Sequence, residues 1–363
     1  MKKSLSIMFT LLLLFLLPAC GGEEEEDDWG NDGDTPSGGD GGNGDNGLEE
    51  WKINFEANVA NIALDQNNEI IYIAGSTQQS LYSELIANKE IFLAAFNSKG
   101  EELWGKQWDI NGSPSSVTGV IVAKFNNIYI GGGTHLNPFI MKFASNGTKL
   151  WELFPEEGVR ALAVDSEGNI YVGHNIIIKY SPDGKEMQRY DFSSTQTPDI
   201  TTLAVDSEGN IYAGGFTWGN LFADNAGNID AFLVKIAPDG TQLWGKQWGG
   251  GNSDEIFELV IDKDNIYVLG ENSIDDEKIS KISSTGEKIW EYYSEHTYFG
   301  MTINNSNIYL IAGKKLDKIN LNGEQIGSYS QMSDLYDVTH DNDGNIYVCG
   351  YGHLTKLRSS LVK

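Results

Sequence analysis

One short repeated phrase constrains this chain more than anything else in it. Ile-Tyr, preceded by Asn in all copies but the first, recurs with its tyrosine at Tyr72, Tyr129, Tyr171, Tyr212, Tyr267, Tyr309 and Tyr347. The intervals are 57, 42, 41, 55, 42 and 38 residues. Two copies superimpose almost completely: Ala163-Val-Asp-Ser-Glu-Gly-Asn-Ile-Tyr171 and Ala204-Val-Asp-Ser-Glu-Gly-Asn-Ile-Tyr212. A second phrase follows the first, most clearly in Ala237-Pro-Asp-Gly-Thr-Gln-Leu-Trp244. Segments ending in Trp104, Trp151 and Trp290 match it, and those ending in Met187 and Ile326 match it without the tryptophan. A unit of this size cannot bury an apolar face alone, so the period demands that successive units stack.

Each unit reads as four short strands, a to d. Strand a is an apolar run such as Thr202-Leu-Ala-Val-Asp206, and a Ser-Glu-Gly-Asn turn leads to strand b, Ile211-Tyr-Ala-Gly-Gly215. Strand c is Ala231-Phe-Leu-Val-Lys-Ile236, and Pro-Asp-Gly turns the chain into strand d at Leu243-Trp244. Gly, Asn and Asp fill these turns because tight hairpins need positive φ. Four of the six intervals fall near the ~40–45 residues of a four-stranded propeller blade. The expected fold is therefore all-β: a seven-bladed β-propeller with four-stranded antiparallel blades over residues 51–363. The last unit stops after its third strand, and Glu50-Trp51-Lys-Ile-Asn-Phe55 matches the outer-strand phrase. The N-terminal strand is thus expected to complete the final blade, which removes exposed sheet edges. These repeats resemble the SBBP family of seven-bladed propeller repeats, frequent in bacterial secreted and surface proteins. The resemblance implies the fold and no single activity.

Residues 1–19 read as a signal peptide. Lys2 and Lys3 precede an uncharged apolar run from Ile7 to Leu17, too short for the ~20 residues that cross a bilayer. Leu17-Pro18-Ala19-Cys20 resembles the lipobox of bacterial lipoproteins, with Pro18 a departure from the usual small residue. That resemblance implies lipidation of Cys20 by several acyl chains, enough for stable anchoring. Residues 20–50 then form an acidic Gly/Asp-rich segment with little to bury, expected as a disordered tether. Its acidic start resembles the surface-export signals of Bacteroidetes lipoproteins. The expected address is the cell envelope: lipid-anchored, at the outer membrane and surface-exposed.

Charge excludes some partners. Of 52 acidic residues, 12 lie in the tether, and Lys2 and Lys3 belong to the signal, leaving 40 acidic and 23 basic residues, net −17, from Trp51 onward. Such a surface repels phosphate backbones, so nucleic acid is not expected as a partner. Cys349 is the one cysteine besides Cys20, so no disulfide framework is expected, and the body is taken as a monomer.

Every long insertion falls in the b–c or d–a connections: residues 76–90, 109–116, 193–200, 216–230 and 249–255. Long loops on a rigid scaffold commonly hold binding groups. On that face the candidate binding residues are Trp218, His135, His353, Arg160, Tyr336 and Asp337. No catalytic residue, cofactor or metal is assigned. His135, His174 and His353 belong to different units, too dispersed for metal-ligand convergence. Asp341-Asn-Asp343-Gly344-Asn345 lacks the oxygen ligands of a full calcium loop and occupies a hairpin-turn slot. The recurrent tryptophans sit at scaffold positions and are expected between blades, and Cys349 as a buried thiol. Ser181-Pro-Asp-Gly is one residue short of a sialidase Asp box, and no GxSxG or HExxH motif occurs.

The expected function is non-catalytic: an envelope lipoprotein whose loop-rich face binds a protein or glycan. One alternative is an extracellular lyase or hydrolase, in which His135, Arg160, Asp337 or Glu258 would converge at the channel mouth. Another is a purely structural envelope module.

Overall fold

The computed structural model describes residues 49–67, 69–85, 89–110, 117–123, 127–133, 137–191, 198–251, 253–272, 276–294, 296–304, 306–330 and 332–358. Strands β1 (Glu49–Asp65), β2 (Ile70–Thr77), β3 (Glu90–Asn97) and β4 (Glu102–Trp108) are followed by β5 (Val117–Ala123), β6 (Asn127–Gly132), β7 (Phe139–Ala144) and β8 (Lys149–Leu153). Next come β9 (Ala161–Val164), β10 (Ile170–Gly173), β11 (Ile177–Tyr180) and β12 (Glu186–Tyr190), then β13 (Asp199–Val205), β14 (Ile211–Thr217), β15 (Asp230–Ile236) and β16 (Gln242–Trp248). The chain continues with β17 (Glu255–Asp262), β18 (Asn265–Asn272), β19 (Asp276–Ser283) and β20 (Lys288–Ser294). It ends with β21 (Gly300–Ile303), β22 (Asn307–Ala312), β23 (Lys315–Asn320), β24 (Gln325–Tyr329), β25 (Leu335–His340) and β26 (Ile346–Leu357).

Five sheets are four-stranded antiparallel meanders, β5 to β8 and so on through β21 to β24, and a sixth runs β25-β26-β1-β2-β3-β4. The described residues thus form a β-propeller of six sheets, which corrects the expected seven separate blades. The physical reason is β1. Its first residues pair with β26 (Trp51 opposite Lys356, Ile53 opposite Leu354) and its last with β2 (Asn61 opposite Ala74, Asp65 opposite Ile70). One unbroken strand therefore joins the closing unit to the opening one. β26 itself doubles back. Nine extended residues would span about 30 Å, yet Lys356 Nζ lies 5.6 Å from the Tyr347 ring centre. The reversal falls at Tyr351-Gly352, where Gly352 has φ +75°. The sixth sheet consequently holds two Ile-Tyr units and each other sheet holds one. Innermost strands β1, β5, β9, β13, β17, β21 and β25 are neighbours in that order around the ring.

The turns show why the repeat has its sequence. Asp206 Oδ1 accepts from the Glu208 and Asn210 N–H groups, while Oδ2 accepts from Asn210 Nδ2 and the Tyr212 hydroxyl. Asp165 and Asp341 do the same for Tyr171 and Tyr347. The Asp341 segment is therefore a hairpin turn whose carboxylate already serves its own backbone and tyrosine.

A transverse row links each turn to the next unit. Register sets Ala204, Tyr212, Lys235 and Trp244 side by side, with Lys235 Nζ 4.9 Å from the Tyr212 ring centre. Trp244 Nε1 donates to Ser284 O at 3.0 Å in the neighbouring sheet. Its ring covers Gly286, where a Cβ would come within 3.1 Å. Trp51, Trp104, Trp151 and Trp290 donate in the same way to Ser98, Ser145, Pro182 and Leu321 carbonyls. These tryptophans are scaffold. Apolar clusters such as Ala213, Phe232 and Val234 against Ala161, Ile177 and Tyr190 fill the space between successive units. Middle strands bury both faces, so β15 reads as a continuous apolar run with its polar positions paired. Cys349 is wholly buried, and burial pushes its thiol well above the usual range.

Candidate functional site

Aligning the seven innermost strands exposes one position that escapes the scaffold. A β-bulge interrupts the inner ladder at Ala60, Thr118, Thr201, Phe257 and Tyr336. Arg160 and Phe299 hold the equivalent place ahead of β9 and β21, their N–H groups bonded to Gly173 O and Ile311 O. A bulge takes a residue out of the pairing alternation and re-aims its side chain. All of these except Ala60 line a central cavity of about 310 Å³, opening at the start of the a strands, on the face of the b–c and d–a connections. Phe257, Phe299 and Tyr336 come from three consecutive units and make an aromatic arc. Thr118, Arg160 and Thr201 stand on the other side of the ring.

The next position along carries Asn61, Gly119, Ala161, Thr202, Glu258, Gly300 and Asp337. Three of these side chains staple one unit to the following one. Thr202 Oγ1 accepts from Leu259 N–H at 3.1 Å, Glu258 Oε2 from Met301 N–H at 2.7 Å, and Asp337 Oδ2 from Ile62 N–H at 2.9 Å. A threonine does this job without charge, so the two carboxyls exceed what stapling needs. Burial pushes the Asp337 carboxyl up to about 7, against the Ile62 and Val338 N–H bonds that favour its charged form. Burial, then the charge on Asp337, push Glu258 well above the carboxylate range, opposed by the Met301 bond. The two acids line one cavity, and both are pushed towards their protonated forms. Arg160, across the cavity, is held by Asp199 at 3.3 Å.

Of the residues singled out from sequence, Arg160, Tyr336 and Asp337 line this cavity, together with Glu258. Trp218 does not; it is half exposed and meets Phe216 edge-on at 4.9 Å. His353 is only 2% exposed. Its Nε2 lies 3.1 Å from Asp334 O and its Nδ1 3.3 Å from Thr355 Oγ1, which places it in the wall between strands. Burial, then nearby Lys52, lower its pKa. His135 and Cys20 lie outside the described residues, as do residues 111–116 and 192–197 of the insertions.

Two insertions turn out to be fastened to their own sheets. Gln247 Oε1 accepts from Leu221 N–H at 2.8 Å and Phe222 N–H at 3.0 Å, while Nε2 donates to Gly219 O and Asp230 Oδ2, both at 2.9 Å. Gln107 repeats the arrangement with Leu81, Tyr82, Gln79 and Glu90. The Tyr82 and Phe222 rings cover Gly105 and Gly245, where no Cβ fits. Phe257, Phe299, Thr118, Thr201 and Asn61 were not anticipated from sequence. Aligning the inner strands on their Val/Ile residue (Val59, Val117, Val159, Ile200, Ile256) would have found most of them.

Fold and cavity define the class: a β-propeller with an acid-bearing channel mouth. The SBBP family of β-propeller repeats matches residues 190–223. No curated protein matches the chain. Among solved structures, a streptogramin B lyase is 15% identical over 85% of this chain and 96% of its own, with TM-score 0.61. A catalytically inactive virginiamycin B lyase from Staphylococcus aureus with quinupristin is 13% identical over 85% and 98%, TM-score 0.61. BamB from Moraxella catarrhalis is 17% identical over 83% of each chain, TM-score 0.50. At these identities the likeness is one of fold.

Proposed function

We propose that this protein is a non-catalytic recognition scaffold of the cell envelope, anchored by lipid at Cys20, that seats a protein or glycan in its central cavity. The carrying observation is the contrast between adjacent positions of the repeat. Tyr, Lys, Trp and Asp recur wherever the scaffold needs them. The bulge position instead holds Ala60 and, around one cavity, the differing chemistries of Thr118, Arg160, Thr201, Phe257, Phe299 and Tyr336. Aromatic anchors beside a few convergent polar groups are the usual make-up of a ligand pocket. Phe299 is 53% exposed and Tyr336 37%, so neither ring is spent on the core. A propeller can serve binding or chemistry: BamB and a streptogramin B lyase are similar in fold.

The test is a glycan array and an envelope-extract pull-down with the full chain beside Phe299→Ala/Tyr336→Ala. Retention that the double variant loses supports recognition at the mouth. Retention unchanged by it, or none by either protein, overturns the reading. A second reading, acid–base chemistry on an extracellular polymer, is favoured by Glu258 and Asp337 alone, whose separated ionisations suit one acid and one base. Turnover of polymers from the array, abolished in Glu258→Gln, would select it.

A further inference from the structure

We infer that the cavity is built for a primary ammonium group. The inference rests on the recognition reading above and adds the chemistry of the ligand. Neither Glu258 nor Asp337 has a cationic partner among the described residues. The one guanidinium on the cavity wall, Arg160, is committed to Asp199. Glu258 spends one oxygen on Met301 N–H, which leaves the other for a ligand. Asn61, also on the wall, has a buried Oδ1 without a hydrogen-bond donor. The cavity thus gathers more side-chain acceptors than donors, with two acids that a bound cation would draw into their charged forms.

The aromatic arc points the same way. Phe257, Phe299 and Tyr336 flank the two acids, and ring faces attract cations and not anions. A body carrying net −17 steers cations towards it. Donor geometry chooses ammonium over guanidinium. A guanidinium fork wants both oxygens of one carboxylate. Asp337 already uses both, on Ile62 and Val338 N–H, and Glu258 uses one. A compact ammonium with three separate donors suits single acceptors contributed by different units. About 310 Å³ admits a lysine side chain or one amino sugar.

Calorimetry with the full chain tests this using two pairs of probes: a lysine peptide against its Nε-acetylated form, and a glucosamine disaccharide against its N-acetylated form. The ammonium member of at least one pair should bind, with the acetylated member weaker by about tenfold or more. Whichever pair responds identifies the source of the group. Glu258→Gln keeps the acceptor for Met301 and should lose about tenfold or more, while Trp218→Ala, outside the cavity, stays at the parent value. Affinity should also fall as salt rises. Equal binding of acetylated probes, an unaffected Glu258→Gln, or no binding of any probe overturns the inference. If array ligands are still lost in Phe299→Ala/Tyr336→Ala while ammonium probes fail, recognition stands and the cation assignment alone falls.

Discussion

Replacing Gln247 with alanine should release the insertion at residues 216–230 without unfolding the sheet beneath it. Gln247 makes four short bonds to that insertion, two as acceptor and two as donor. A net bond of this kind contributes about 1 kcal/mol, and a buried donor left unmet costs about 1–3 kcal/mol. Water can reach part of this site, since Gln247 is only half-buried. The lower end applies, and the expected loss is about 2–4 kcal/mol. At this size that corresponds to a fall in Tm of roughly 4–8 °C. The local readout is sharper: hydrogen exchange at the Leu221 and Phe222 amides should speed up, while Leu233 and Val234 in β15 stay protected. Gln247→Glu keeps the acceptor but sets a second carboxylate against Asp230, so it should sit between parent and alanine variant at neutral pH. The chain contains its own replicate. Gln107→Ala should do the same to Leu81 and Tyr82, with a larger effect because Gln107 is only 7% exposed. Unchanged exchange at Leu221 and Phe222 in Gln247→Ala would refute the reasoning and leave the packing of Phe222 on Gly245 as what holds the loop.

Stability should fall as pH rises from about 4.5 to 8. Asp337 binds its proton more tightly folded, up to about 7, than unfolded, so the folded state is favoured below that window and loses ground through it. The shift corresponds to at most ~4 kcal/mol, and about half of that is expected for a group facing an open channel. Asp165 and Asp206 are held below the usual range, so their contribution is lost only below about pH 4 and does not mask the effect. Urea unfolding against pH should show a steeper fall in the parent than in Asp337→Asn, where the raised Glu258 remains and the lowered His353 acts in the opposite direction. Trp244→Ala removes a bond to Ser284 O and the cover over Gly286, and should cost about 2–4 kcal/mol by the same measurement. Calcium or EDTA should leave Tm unchanged, because the Asp341 carboxylate already accepts from Asn345 and Tyr347.

How much of this was legible in the sequence follows from what each residue answers to. Strands, turns and inter-unit tryptophans were legible because they obey one local rule in every unit. Asp206 needs Tyr212 six residues on, and Trp244 needs a glycine about forty residues on, so both appear as phrases with fixed spacing. The sheet count was not legible. Whether the closing and opening units make one sheet or two depends on β1 running on without a break, and no residue type marks that continuity. The fastening of two insertions was not legible for a related reason. Gly245-Lys-Gln247-Trp and Gly105-Lys-Gln107-Trp are clamps, with a glycine to admit a ring and a glutamine to hold two amides. The phrase was visible twice in the sequence, and its partner lay in a loop with no shared phrase to point to it. The burial of His353 was not legible because distance from the Ile-Tyr tyrosine does not set exposure: a two-residue turn after Gly350 sends it straight into the sheet.

The cavity residues escaped for the opposite reason, and this is also why they are informative. A repeat protein selects each scaffold position several times over within one chain, so uniform positions report packing. The bulge position is partly relieved of that demand by its geometry: its backbone is out of register and its residue lines the channel, although Thr118, Arg160 and Thr201 also bond the neighbouring unit through Val159 O, Asp199 and Ile256 O. Nothing in the fold requires Phe257, Phe299 and Tyr336 there when Ala60 and Thr201 serve elsewhere. Nor does stapling require acids at Glu258 and Asp337 when Thr202 makes the same bond. Two ionisable groups held together against burial destabilise the folded protein at neutral pH, and a neutral alternative stands one unit away. A feature that costs stability, has a cheaper local substitute and lines an open cavity supports the recognition role proposed for that cavity.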